Sequence, residues 1–208
     1  MKRRLAYVLV IGLLCTAVRA GGADRVHPAS EYADVDDHAK EHVAIAADPY
    51  ETKERTKFFK LHYLDNDILP VLIVVTNESD RTIDLTDVRM QFITADDERL
   101  PAALPEEIVR RMSRDSDAAP RVLPAPVPIP LPARKPIDNK VQVEMDEYGF
   151  NTPRVEPHSS VEGFLWYDMH GLKKPWAAGA QIYVKMIHDA DGNDLFPFTI
   201  LLDKMPKE

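Results

Sequence analysis

The stretch LPVLIVVTNESDRTIDLTDVRMQFIT, from Leu69 to Thr94, restricts the folds open to this chain more than any other. Leu69, Val71, Ile73 and Val75 alternate with Leu72 and Val74, so an extended backbone here is apolar on both faces, and its β-branched content suits a strand. Such a strand has to be covered on both sides, which places it centrally in a sheet. Asn77 to Arg81 supplies turn chemistry. Val88, Met90 and Phe92 then alternate with Arg89 and Gln91, the pattern of a strand with one wet face.

The flanking segments extend this pattern. Val43, Ile45 and Ala47 alternate with Ala44 and Ala46, a first strand ended by Asp48-Pro49. Phe59, Leu61 and Tyr63 alternate with Phe58, Lys60 and His62, a second strand that turns at Asp65-Asn66-Asp67 into the central one. Pro105, the acidic pair Glu106-Glu107, inward Ile108, Val109 and Met112, and late Arg110 and Arg111 describe a short helix. Residues 139 to 150 fit either a strand (Val141, Val143, Met145) or a helix (Val141, Met145, Tyr148, then Gly149), and the helix is favoured. Val161 to Tyr167 is apolar on both faces, a second central strand. Gln181 to His188 places Ile182, Val184 and Met186 on one face, and Leu195 to Leu202 does the same with Phe196, Phe198, Ile200 and Leu202. The Asp191-Gly192 pair between them signals a two-residue hairpin, and Pro197 makes the last strand an edge. Seven to nine short strands without alternating helices predict an all-β domain with minor helix, an antiparallel two-sheet sandwich.

The amino terminus reads as an export signal. Lys2, Arg3 and Arg4 precede an uncharged run from Leu5 to Val18, and Val18-Arg19-Ala20 offers a cleavage site after Ala20. The run falls short of the ~20 residues that a membrane-spanning helix needs. Lipoprotein processing at Cys15 would want a small residue before it, and Leu14 is bulky. Cleavage removes the only cysteine and four basic residues but no acid. From 26 basic and 34 acidic residues, the exported chain is left with a net charge of −12. That field repels phosphate backbones and argues against a nucleic-acid partner. Without a disulfide, a chain of this size still buries roughly 70 % of its unfolded surface. The organisation is therefore residues 1–20 as signal, 21–40 as a flexible arm, and 41–208 as one domain, with residues 101–151 as a helical and Pro-rich insertion.

Two quoted segments carry a resemblance, FFKLHYLDNDILPVLIVVTNESDRTIDL and VEPHSSVEGFLWYD. A strand ending Val74 to Asn77, followed later by a Pro-containing turn and a Gly-aromatic strand (Pro157 to Trp166), resembles the immunoglobulin-like sandwich domains of bacterial exported proteins and lipoproteins of unknown function. The likeness covers about residues 44–94 and 154–202. It implies an immunoglobulin-like fold and an exported location, and it carries no catalytic residue.

Local chemistry motifs are sparse. Asp189 to Asp194 places Gly192 fourth and Ile200 twelfth, against the sixth-position glycine and twelfth-position glutamate of an EF-hand loop, so it reads as a turn. His38 and His42 share zinc-ligand spacing without a third ligand. Met186 with His188, and Met169 with His170, resemble soft copper ligands, but Met186 continues an apolar face. His158-Ser159 are strand neighbours pointing apart. The sequence thus assigns no catalytic residue, metal ligand or cofactor. It predicts a non-catalytic exported binding or envelope-associated module, with an envelope protein or glycan as partner. The alternatives are a metal-handling protein and an enzyme whose site leaves no local motif. The candidate partner surface is Val127, Ile129 and Leu131, in the gaps of the alternating prolines 124 to 132, together with the loop Trp176. That proline run forms either an edge strand or a polyproline II rod of roughly 28 Å, and serves as scaffold or as recognition surface.

Overall fold

The computed structural model describes residues 26–116 and 138–202; the signal segment and the run from Pro124 to Pro132 lie outside them. The described strands are β1 (Val35–His38), β2 (Val43–Pro49), β3 (Ile68–Asn77), β4 (Ile83–Asp84), β5 (Arg89–Ile93), β6 (Arg99–Pro101), β7 (Arg154–Val155), β8 (Ser159–Asp168), β9 (Gln181–Lys185) and β10 (Phe198–Leu201). Helices α1 (Pro105–Ser116) and α2 (Asp138–Tyr148) lie between β6 and β7. Two four-stranded sheets, ordered β1-β2-β3-β8 and β10-β9-β5-β6, and a small β4-β7 ribbon account for the strands, and every pairing between them is antiparallel.

β3 is buried at all ten positions, as its two-faced apolar pattern requires. Its Leu69, Val71, Ile73 and Val75 face the second sheet and share a core with Ile45, Phe92, Ile182, Val184, Phe198 and Ile200. Leu72 and Val74 face the other way, into a second core with Phe59, Tyr63, Ile108, Val141, Phe164 and Trp166. Each fully buried aliphatic side chain contributes roughly 1.5–3 kcal/mol relative to exposure.

The helices supply the cover for that second face. At α1, Pro105 opens the first turn and Glu107 Oε2 accepts the Leu104 amide at 2.9 Å, the backward arm of a capping box. In α2, Val141, Glu144, Met145 and Tyr148 form one stripe facing the sheet. Glu144 is buried within it and accepts hydrogen bonds from Tyr63 Oη at 2.9 Å and from the Lys60 amide. The predicted helix over 139–150 is the observed one.

Turn chemistry at the end of β3 is organised by Asn77, which is wholly buried. Its Nδ2 donates to the carbonyls of Arg81 (2.7 Å), Val155 (3.1 Å) and Glu156 (3.2 Å), and its Oδ1 accepts from the Ser79 amide and hydroxyl. One side chain therefore ties the 77–81 turn to β7.

Six expectations need correction. Residues 26–40 of the expected flexible arm are packed: Ala29 is buried, and β1 pairs with β2. The polar run Asp36-Asp37-His38 hid a strand that is held by backbone pairing and by acids serving as acceptors. Asp36 Oδ2 takes the Thr199 amide (2.7 Å), and Glu41 Oε1 takes that of Phe196 (2.9 Å). Residues 58–63 form no strand; turns followed by a 3-10 segment (Tyr63–Asn66) bury Phe59 and Tyr63 while Phe58 stays 43 % exposed. β8 is an edge strand rather than a central one. Its outer carbonyls are covered by chain crossings, where the Ala103 amide donates to Trp166 O (2.7 Å) and that of Phe150 to Phe164 O (3.0 Å). Met186 adopts φ 62°, which breaks the alternation and turns Ile187 into the core in its place. Phe196 is 76 % exposed, because β10 begins only at Phe198. The hairpin at 189–193 has a three-residue loop: the Gly192 amide returns to Asp189 O, the Asp189 amide to Asn193 O, and Gly192 sits at φ 83°.

The crossing over β8 leaves no room at Gly163. A Cβ there would lie 2.5 Å from Phe150 Cα and 2.7 Å from Gly149 O. Gly163→Ala is expected to lower stability by about 1–3 kcal/mol through overpacking against backbone, read as a fall of several degrees in the circular-dichroism melting temperature.

Candidate functional site

Of the residues that the sequence nominates as a partner surface, Val127, Ile129 and Leu131 lie outside the described residues. Trp176 is placed, and it is buried at 5 % exposure. Its amide and that of Ala177 donate to Glu51 Oε1 at 2.6 and 3.1 Å, its Nε1 donates to Leu172 O at 3.4 Å, and Lys174 Nζ lies 4.2 Å from the ring centroid. The ring closes the end of the inter-sheet core and offers no open stacking platform.

The pairs weighed as metal ligands are separated. His38 stacks on Phe198 at 3.8 Å and bonds Glu41, whereas His42 sits exposed in a left-handed turn. Met169 is fully buried while His170 points outward toward Asp67, and His188 pairs with Asp194 at 3.0 Å. Among the described residues no three of His, Cys, Asp and Glu converge as ligands. Ser159 Oγ donates to Glu156 O, and His158 faces Asp80, so the two neighbours do not address each other.

Several concavities flank the sheets, among them one of about 990 Å³ bordered by Val26, Pro28, Thr76, Asn77, Glu78 and His158. Another, of about 300 Å³, lies among Lys53, Lys57, Phe59, Leu61, His62 and Leu64. A wider cleft of about 670 Å³ is lined by Thr82, Asp84, Arg154, Glu156, His188 and Asp189. Two of its carboxylates, Asp84 and Asp189, are turn-builders. The Thr86 hydroxyl and amide hold the Asp84 carboxyl below its usual range, and the Asn193 side chain and amide do the same for Asp189. Acceptors committed in this way to local donors have little capacity left for a ligand.

The more distinctive feature is the outer face of the second sheet. Alternation sends Met90, Phe92, Ile182, Val184, Phe198 and Ile200 inward and the intervening side chains to the other face, where Ile93, between Arg99 and Gln181, is itself buried. Of these outward positions three are cationic, Arg89, Arg99 and Lys185, and none is acidic. Lys185 stands directly opposite Arg89 in the β5-β9 register, a like-charge pair that weakens a sheet. None of the three cations has an ion-pair partner among the described residues. Tyr183 lies between them, with the Arg99 guanidinium 5.9 Å from its ring centroid, and Gln91 faces it across the strand pair. The face is therefore positive in a chain whose formal net charge is −8. The sequence gives the wet side of β5 through Arg89 and Gln91. It gives no sign that Arg99, on the next strand, and Lys185, nearly a hundred residues away, would join them, because that depends on strand register.

No family model matches the chain, and no curated protein is found to match it. No described helix is long and apolar enough to cross a membrane.

Two measurements check this geometry. The chain has two tryptophans, and both are buried, so emission should be blue-shifted; Glu51→Ala, which strips two amides of their acceptor, is expected to red-shift it and to cost about 1–3 kcal/mol. On the opposite flank, burial and then the nearby Glu162 push the Tyr32 phenol from 10 up to about 12, and burial likewise raises Tyr50, Tyr63 and Tyr167. The unfolded chain ionises near pH 10 while the folded chain keeps these protons. The contribution of Tyr32 to stability is therefore complete below pH 10 and is lost as pH rises through about 12. The melting temperature should fall across that window, and Tyr32→Phe should flatten the slope.

Proposed function

We propose that the protein is an exported, non-catalytic binding module of the cell envelope, built on an immunoglobulin-like sandwich, and that its partner surface is the open face of the second sheet. The observation that carries this reading is the charge sorting on that face: three cations, two of them directly opposed, with no carboxylate on the four strands' outward positions. Opposed like charges cost stability, and a surface that serves only as solvent boundary gains nothing from them. An anionic partner would turn the same arrangement into an attraction. Export is supported by Lys2, Arg3 and Arg4 ahead of an uncharged run that ends at Val18-Arg19-Ala20.

The test is fractionation with intact-mass analysis. The expected outcome is a mature chain beginning at Gly21 that sediments with the envelope in low salt and is released by high salt, since contacts between exposed charges are screened within about 10 Å at 0.1 M. A chain recovered from the cytoplasm with Met1 in place, or an envelope association indifferent to salt, overturns the reading.

A further inference from the structure

We infer that the open face of the second sheet is a platform for a linear acidic glycan, held by Arg89, Arg99 and Lys185 through the glycan's carboxylates. This rests on the reading of that face as the partner surface, and it names the ligand.

The register fixes the spread of the three charges. Lys185 is paired with Arg89, and Arg99 is paired with Ile93, four residues further along β5. At about 3.4 Å per residue and 4.8 Å per strand, Arg99 stands roughly 14 Å from Arg89 and roughly 17 Å from Lys185. Arg89 and Lys185 can together hold one negative group, whereas Arg99 is based four residues further along and reaches over the Tyr183 ring, so the three are not centred on one small anion. They suit an extended polymer that presents a negative group at intervals. Arginine favours a planar carboxylate, which its guanidinium grips with two parallel hydrogen bonds.

The side chains between the cations fit sugar rather than protein or lipid. Gln91, Gln181 and Tyr183 occupy outward, half-buried positions, and amides that both donate and accept match hydroxyl groups, while a tyrosine offers an apolar ring with a polar tip. A protein partner would be expected to seat large apolar anchors in pockets, whereas this face is an open sheet on which the large exposed hydrophobe is Leu201, 56 % exposed on the edge strand. Juxtamembrane patches that hold anionic headgroups carry about four to eight basic residues; among the described residues this face carries three.

The test titrates the full chain by calorimetry with a linear oligogalacturonate, with a neutral oligosaccharide of equal length, and with vesicles containing phosphatidylglycerol. The expected result is binding of the oligouronate alone, weakening as salt is raised. In the double variant Arg89→Gln/Lys185→Gln its affinity should drop at least tenfold while the melting temperature holds or rises, because an opposed like-charge pair has been removed. Arg99→Gln should weaken binding without unfolding. A neutral oligosaccharide that binds equally well, or a double variant that keeps the parent's affinity, overturns the inference. Vesicle binding that is lost in the double variant, with no oligouronate binding, overturns the glycan and leaves the face as the partner surface. If neither probe binds and the variants match the parent in envelope retention, both readings fall.

Discussion

A ten-residue strand buried along its whole length is the constraint from which the remaining architecture follows. β3 has hydrogen-bonded neighbours on both edges, β2 and β8, which satisfies its backbone. Its side chains leave two apolar faces to cover, and one further layer can cover only one of them. The second sheet takes the face bearing Val71 and Ile73. The helical excursion and the aromatic segment around Phe59 and Tyr63 take the face bearing Leu72 and Val74. An antiparallel sheet commonly leaves one face wet; here the first sheet is covered on both, and the wet face belongs to its partner.

That division also separates the chemistry of the two flanks. On the helical side buried polar groups are sparse. Glu144, buried in an aromatic surround, accepts from Tyr63 and from a backbone amide, so its cost of burial is offset by defined donors. On the far side of the second sheet Arg89, Arg99 and Lys185 have no ion-pair partner among the described residues, and two of them are directly opposed.

Much of this was legible from residues alone, and what was not has identifiable causes. β3, β5 and α1 announce themselves because their apolar periods are clear and their ends carry capping or turn residues, whereas residues 139–150 fitted strand and helix alike and only Gly149 favoured the helix of α2. β1 escaped detection because its side chains are polar and its stability comes from backbone pairing and from Asp36 and Glu41 capping amides of another segment. Residues 58–63 imitated a strand because aromatic residues spaced for packing between turns also happen to alternate. A single left-handed residue, Met186, was enough to exchange the inward residue at the end of β9. At the level of the site, Arg89 was visible as exposed, but its grouping with Lys185 and Arg99 required strand pairing between segments nearly a hundred residues apart. Trp176 was conspicuous in sequence, and its burial was decided by Glu51, more than a hundred residues away.

The excursion between β6 and β8 leaves and rejoins the frame at nearly the same place. Ala103 bonds Trp166 and Phe150 bonds Phe164, two residues apart on one strand edge, so the two feet stand roughly 7 Å from each other. An insertion anchored in this way behaves as a closed loop whose ends are fixed independently of its contents. Doubling the length of such a loop costs only about 0.6 kcal/mol in closure entropy. Ala103 and Phe150 are thus two fixed points on one edge of the frame, and the helices held between them return to cover the Leu72 and Val74 face of β3.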